Sequence, residues 1–250
     1  MIFLDLFAGI GGFALGAYWA GMRFDAHYFS EVDPYAIRVY QQRFPDAEPL
    51  GDIRNIRGAD LPQGDWIITG GFPCQDISVA GKGAGLAGER SGLWYEYARI
   101  IGELRPRYAI MENVGALAFR GLDSVLGSLA ALGYDAEWQD IRASDVGAMH
   151  RRERIWIIAY PKHDSVQRRK IKGQSQKRDL LSKKQLSGLL QFDSRDEVSA
   201  ARVWREANGI SKRLDIVRNK SIGNSIVPQI AEMIFREIEG DSMTDILDAT

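Results

Sequence analysis

The 250-residue sequence predicts an α/β fold, a doubly wound and mostly parallel sheet. Short apolar runs alternate with helical patterns over the first 160 residues, and glycine turns stand where strands give way to helices. A chain that is 45% hydrophobic at this length can bury a substantial core.

The first strand is Ile2-Phe3-Leu4-Asp5-Leu6. It runs into Phe7-Ala8-Gly9-Ile10-Gly11-Gly12-Phe13 and then a helical pattern over 14–20. Three close glycines let the backbone turn sharply and approach a ligand in front of the free amides of a helix N-terminus. The spacing is not G-x-G-x-x-G, so no dinucleotide fingerprint is met. A second strand over 27–30 ends at Glu31, about twenty residues past the turn, where a carboxylate can bond ribose hydroxyls. Together these features indicate an adenosine-type cofactor. A tight turn serving only helix–sheet packing is the other reading of the glycines.

Helices follow at 34–44, 91–104 and 122–132, with strands at 66–69, 108–112, 136–142 and 154–159. A last helix is expected over 226–238 after Gly223-Asn224-Ser225, packed back against the sheet. The lone cysteine, Cys74, lies in Gly70-Gly71-Phe72-Pro73-Cys74-Gln75, directly after the strand ending at Thr69. By itself it reads equally as a small core residue or as a nucleophile on the ligand-binding rim. Glu112-Asn113-Val114 follows the strand Tyr108–Met111 and puts a carboxylate on the same rim. Alternatively, that carboxylate complements the next helix N-terminus. In His150-Arg151-Arg152-Glu153-Arg154, strand alternation places Arg152 and Arg154 on one face, either to grip an anion or to pair on the surface.

One cysteine excludes an internal disulfide, and the scattered His27, His150 and His163 suggest no metal cluster. Met1 leads straight into a strand without a basic n-region, and no apolar run reaches membrane-spanning length. No signal peptide, no membrane partner and a cytoplasmic setting are expected. The formal net charge is -1, yet Arg151 to Lys184 is dense in Arg and Lys. From Tyr160 to Lys212 the periodicity weakens, which marks either a solvated surface insertion or a phosphate-contacting one.

These motifs, in this order, resemble those of the DNA cytosine-5 methyltransferases of bacteria and phages over nearly the whole chain. Asp5 to Gly12 resembles the family's cofactor loop, Glu31-Val32-Asp33-Pro34 its ribose-binding segment, and Gly51-Asp52-Ile53 its adenine-contacting segment. Gly71-Phe72-Pro73-Cys74-Gln75 resembles its nucleophile loop and Glu112-Asn113-Val114 its acid motif. Arg152 and Arg154 match the arginines of Gln-x-Arg-x-Arg, Arg90 to Trp94 the helix start beside the cofactor, and Gly223 to Gln229 the closing motif. His150 and Met149 depart from the family's usual Gln and Pro, which bears on loop geometry.

The resemblance implies a fold of the S-adenosylmethionine-dependent methyltransferase type with a small target-recognition insertion. Residues 1–159 would bind cofactor and do the chemistry, 160–212 would choose the target, and 213–250 would return to the catalytic domain. It implies Cys74, Glu112, Arg152 and Arg154 as catalytic residues. Phe7, Ala8, Gly9, Ile10, Gly11, Glu31, Val32, Asp52, Ile53, Pro73, Leu93, Asn224 and Ser225 would bind S-adenosylmethionine, with S-adenosylhomocysteine as product. Double-stranded DNA is the implied partner, a monomer is expected, and the Gly-rich stretch 75–88 is either a closing loop or an ordinary surface loop. A transfer-RNA cytosine methyltransferase would share these parts. A silent DNA-binding homologue would need a broken nucleophile or cofactor loop, and both motifs are intact.

Overall fold

The computed structural model describes residues 1–73, 92–146, 152–162 and 225–247, with side chains described as far as 240. Within these residues one seven-stranded sheet runs in the order β3-β2-β1-β4-β5-β7-β6. The strands are β1 Ile2–Leu6, β2 Ala26–Ser30, β3 Glu48–Pro49, β4 Trp66–Gly71, β5 Tyr108–Val114, β6 Tyr134–Arg142 and β7 Glu153–Pro161. β1 to β5 pair in parallel, whereas β7 runs antiparallel between β5 and β6.

Chain order reverses at the centre. β1 has β2 on one side and β4 on the other, so the loops leaving β1 and β4 flank the crevice where an open sheet binds ligands. Alternation along each central strand fills both faces, as strands covered on both sides require. Leu4, Leu6, Ile68, Met111 and Ile157 pack on one face with α3 (Gly92–Leu104) and α5 (Leu122–Ala131). Phe3, Ile67, Ile110 and Trp156 pack on the other with α1 (Gly12–Trp19), α2 (Pro34–Arg43) and α6 (Pro228–Leu247).

α1 and α6 meet very closely. A Cβ built on Gly16 would lie 2.6 Å from the Ala231 Cβ and 2.7 Å from the Pro228 carbonyl oxygen. Pro228 opens α6 at a first-turn position where its missing N–H costs nothing. α2 likewise begins with a proline, and Asp33 caps it by accepting from the Tyr35 and Ala36 amides.

Several boundaries differ from the expected ones. β5 continues through Val114, so Glu112 lies inside a paired strand and not after its end. β3 and the four-residue helix α4 (Leu117–Arg120) are too short to leave a periodic signal. The antiparallel placement of β7 could not be read from its composition.

Candidate active site

The β1–α1 loop is shaped by backbone geometry. Phe7, Gly9 and Gly11 have φ of 52°, 55° and 86°, and a Cβ on Gly11 would come within 2.7 Å of the Phe44 ring. The Ala8 amide donates to the Ser30 carbonyl at 3.0 Å, which fastens this loop to the end of β2. Glu31 then closes it from the side. One carboxylate oxygen accepts from the Gly9 amide at 2.8 Å, and the other accepts from the Val32 and Asp33 amides at 2.8 and 2.9 Å. Glu31 thus organises the loop as well as offering further acceptor capacity. Val32 is 65% exposed and presents an apolar surface beside the loop.

The next segment is tied to the same strand end by Ser30, whose hydroxyl donates to the Gly51 carbonyl at 2.7 Å. Asp52 caps the 3-10 turn Ile53–Asn55 and is gripped by Arg54, whose Nη2 lies 2.6 Å from Oδ2. That contact holds the Asp52 carboxyl below the usual carboxylate range. The Ile53 side chain is buried, and Leu93, at the start of α3, packs partly buried against the same cluster. Glycine freedom, acceptor carboxylates and an exposed aliphatic edge make up a cradle that fits an adenosine-bearing cofactor.

Register brings the second group together. Gly71 of β4 pairs with Glu112 of β5, and a Cβ on Gly71 would lie 3.2 Å from the Glu112 Oε2. Across β7, the Arg154 Nε meets the Glu112 Oε1 at 3.0 Å. Burial pushes the Glu112 carboxyl up from 4.5 to about 7, against the pull of Arg154 and Arg152. Arg152 does not lie in the strand. It precedes β7 with φ 24°, its Nη2 donates to the Ser225 carbonyl at 2.7 Å, and burial beside Arg154 lowers its own pKa. Arg154 therefore contacts Glu112 directly, while Arg152 turns to the closing segment and acts on Glu112 through its charge, not by the simple alternation expected.

Ser225 and Ile226 return the end of the chain to this place. The Ile226 carbonyl oxygen approaches the Gly12 Cβ position to 2.7 Å, and its Cδ1 approaches that of Gly71 to 3.4 Å. The closing segment thus bridges the α1 start, the β4 end and Arg152. Pro73 is exposed at the end of the described β4 stretch, while Cys74 and Asn224 lie outside the described residues. So do the 75–88 loop and nearly all of 160–212.

Two contributors carry no role in the sequence reading. Asn113 is buried, and its side-chain amide donates to the Phe72 carbonyl at 2.8 Å, holding the chain two residues before Cys74. Phe72 is itself packed against Trp94 and Tyr97. Asp5, fully buried, accepts from the Thr69 hydroxyl at 2.8 Å, the Tyr40 hydroxyl at 3.2 Å and the Ala14 amide in the first turn of α1. It joins the strands from which both loops leave, and burial pushes its carboxyl up to about 7. Tyr40 has a single proton and donates it to Asp5, so the His27 Nε2–H must donate to Tyr40, at 2.8 Å. Burial pushes the His27 pKa down to about 4, which keeps the ring neutral at pH 7.

No helix among the described residues is long and apolar enough to cross a membrane, and those residues hold no group of three potential metal ligands.

Residues 1–213 match the family model for C-5 cytosine-specific DNA methylase. Among curated proteins, the Type II methyltransferase M1.ScrFI of Lactococcus lactis subsp. cremoris is 41% identical over 161 residues, 63% of this chain and 41% of that protein. M.HhaI of Haemophilus parahaemolyticus is 36% identical over 162 residues, 63% of this chain and 48% of that protein. The chain spans about half the length of the curated relatives it matches, or less. A solved structure titled as an E. coli prophage DNA modification methyltransferase is 27% identical with a TM-score of 0.51, over 66% of this chain and 48% of that one. The Spodoptera frugiperda DNMT2 triple mutant, 21% identical with a TM-score of 0.53 over 71% of this chain and 53% of its own, shares the fold. With the model matched across every described element from β1 to β7, the chain belongs to the C-5 cytosine-specific DNA methylase family.

Proposed function

We propose that this protein transfers a methyl group from S-adenosylmethionine to carbon 5 of a cytosine flipped out of duplex DNA, through a covalent adduct with Cys74. The observation that carries the reading is the Glu112 carboxyl, in register with Gly71 three residues before Cys74, paired with Arg154 and raised by burial to about 7 against that pull.

Carbon 5 of cytosine is a poor nucleophile until a group adds to carbon 6. The Cys74 thiolate makes that bond, and electron density moves through the ring toward nitrogen 3 and carbon 5. A Glu112 protonated near neutral pH donates its O–H to nitrogen 3 while its other oxygen accepts from the exocyclic amine. Arg154 and Arg152 keep the carboxyl oriented and stabilise it when the proton has left. Asn113 holds the Phe72 carbonyl, two residues before Cys74 in the sequence. When bound, S-adenosylmethionine supplies a sulfonium methyl to the activated carbon 5. Transfer of the carbon-5 proton to a base, departure of Cys74 as thiolate and return of the nitrogen-3 proton to Glu112 then restore the ring and the acid.

The Phe7–Gly11 loop, Glu31, Val32, Asp52, Ile53, Leu93, Asn224 and Ser225 would hold the cofactor. Glu31 suits ribose hydroxyls and Val32 the face of adenine. A stacked, paired base hides the ring face that Cys74 must reach, so flipping is part of the mechanism and costs a few kcal/mol. The basic segment that follows β7 is the proposed duplex contact.

Methylome sequencing of DNA from cells producing the chain tests the whole reading, reporting modified atom and sequence context together. Carbon-5 methylation at a defined context, abolished by Cys74→Ala, is expected. Methyl transfer to folded RNA and not to duplex DNA would replace the substrate, and undiminished turnover by Cys74→Ala would remove the nucleophile.

A further inference from the structure

We propose that Arg99 and Glu103, on the outer side of α3, are positioning residues that hold the adenine-side segment 52–60 in its binding shape. The inference rests on the cofactor reading above and adds residues outside every motif that points to it.

Arg99 is splayed between three partners. Its Nε meets the Glu96 carboxylate at 2.7 Å, its Nη1 meets that of Glu103 at 2.7 Å, and its Nη2 donates to the Ile53 carbonyl at 3.3 Å. The second Glu103 oxygen accepts from the Gly58 amide at 2.6 Å. Segment 52–60 is therefore fastened to one helix at two points five residues apart. Contact at the second point is close enough to need glycine, because a Cβ on Gly58 would sit 2.8 Å from the Glu103 Cβ.

Helix stability alone does not account for this arrangement. Ion pairs spaced three and four residues apart, with side chains about one-third exposed, contribute little to a helix. The fork geometry of a guanidinium does explain it, since two carboxylates fix the plane and leave Nη2 aimed at Ile53. Ile53 follows Asp52, whose carboxylate offers acceptors alone and so matches the 6-amino group of adenine. Arg54 takes both Asp52 oxygens, its backbone amide on Oδ1, its Nε shared between Oδ1 and Oδ2, and its Nη2 on Oδ2; these three hydrogens leave part of the carboxylate's capacity of about four free to accept from the adenine amine. The brace sets where that acceptor stands. A segment already ordered loses less freedom when the cofactor binds.

The test compares S-adenosylhomocysteine with its analogue carrying hydrogen in place of the adenine 6-amino group, titrated into the parent and into Arg99→Met. The parent is expected to bind both. Arg99→Met should weaken S-adenosylhomocysteine about tenfold, the effect of losing one well-placed hydrogen bond, and weaken the analogue less than about twofold. In turnover, KM for S-adenosylmethionine should rise with kcat at saturation unchanged. Equal weakening of both ligands, or of neither, overturns the positioning role. If Arg99→Met does not fold, Glu103→Gln serves in its place, with about threefold weakening and the same dependence on the amino group. A parent that binds neither ligand would instead refute the cofactor reading on which the brace depends.

Discussion

Glu112 is the side chain whose chemistry depends most on where folding has put it. In the unfolded chain it loses its proton near 4.5, whereas in the native state it keeps it to about 7. Between those values the native state binds the extra proton, so this group's contribution to stability is complete below 4.5 and is lost as pH rises through 7. Glu112→Gln has no proton to lose. Its stability relative to the parent should therefore climb by up to about 3 kcal/mol from pH 4.5 to 7, read from urea midpoints across that range. A difference that stays flat would contradict the burial account. Glu31 presents the reverse situation, a carboxylate already satisfied by the Gly9, Val32 and Asp33 amides. Glu31→Ala removes both the proposed ribose acceptor and the tie across the glycine loop. S-adenosylmethionine affinity should fall roughly ten- to a hundredfold by calorimetric titration, and unchanged affinity would take Glu31 out of the site.

At the scale of elements, the contact between α1 and α6 decides how closely the closing segment approaches the cofactor loop. Gly12 and Gly16, one turn apart, let α6 and its leading residues lie almost on the α1 backbone. Gly16→Ala would gain up to about 1 kcal/mol of helix propensity. Set against this, its methyl meets the Ala231 Cβ and the Pro228 carbonyl at distances no real Cβ adopts, and overpacking costs about 1–3 kcal/mol. The backbone cannot yield as a flexible side chain would, so a net loss is expected, visible as a lowered melting temperature. Gly127→Ala in α5 is the matched control: its Cβ meets nothing within 4 Å, and it should stabilise. The sequence shows a helix following a glycine turn here. It does not show that the second glycine serves a partner two hundred residues away.

For the whole molecule, chemistry and target choice are expected to separate. The motifs that resemble the family lie along the chain up to β7 and again from Gly223, while no motif is assigned within the basic stretch between them. Replacing Arg168, Arg169 and Lys170 together by neutral residues should weaken binding to all duplexes alike and reduce the salt slope by up to about three phosphate contacts. Binding measured from 50 to 300 mM salt on cognate and unrelated duplexes checks this, and a loss confined to one sequence would mean that these side chains read bases.

The sequence by itself determined the family, the α/β class and the strand ends that bear chemistry. Those signals are local: a glycine run, an apolar strand, a Pro-Cys pair and an Asp-capped proline are each set by a few neighbouring residues. Only the tertiary structure decided what those residues do to one another. Glu112 reads in sequence as a carboxylate after a strand, and its raised pKa exists because the fold buries it, with β7 antiparallel beside β5 bringing Arg154 against it to pull the other way. Asn113 reads as a motif companion, yet it holds Phe72, 41 positions earlier. Asp5 reads as part of a loop signature, although it is buried between Thr69, Tyr40 and the start of α1. Sequence spacing records which residue types are near along the chain. Register, crossover and burial set which are near in space and how much water remains around them, and those two quantities fix a charge, a proton and a reacting distance.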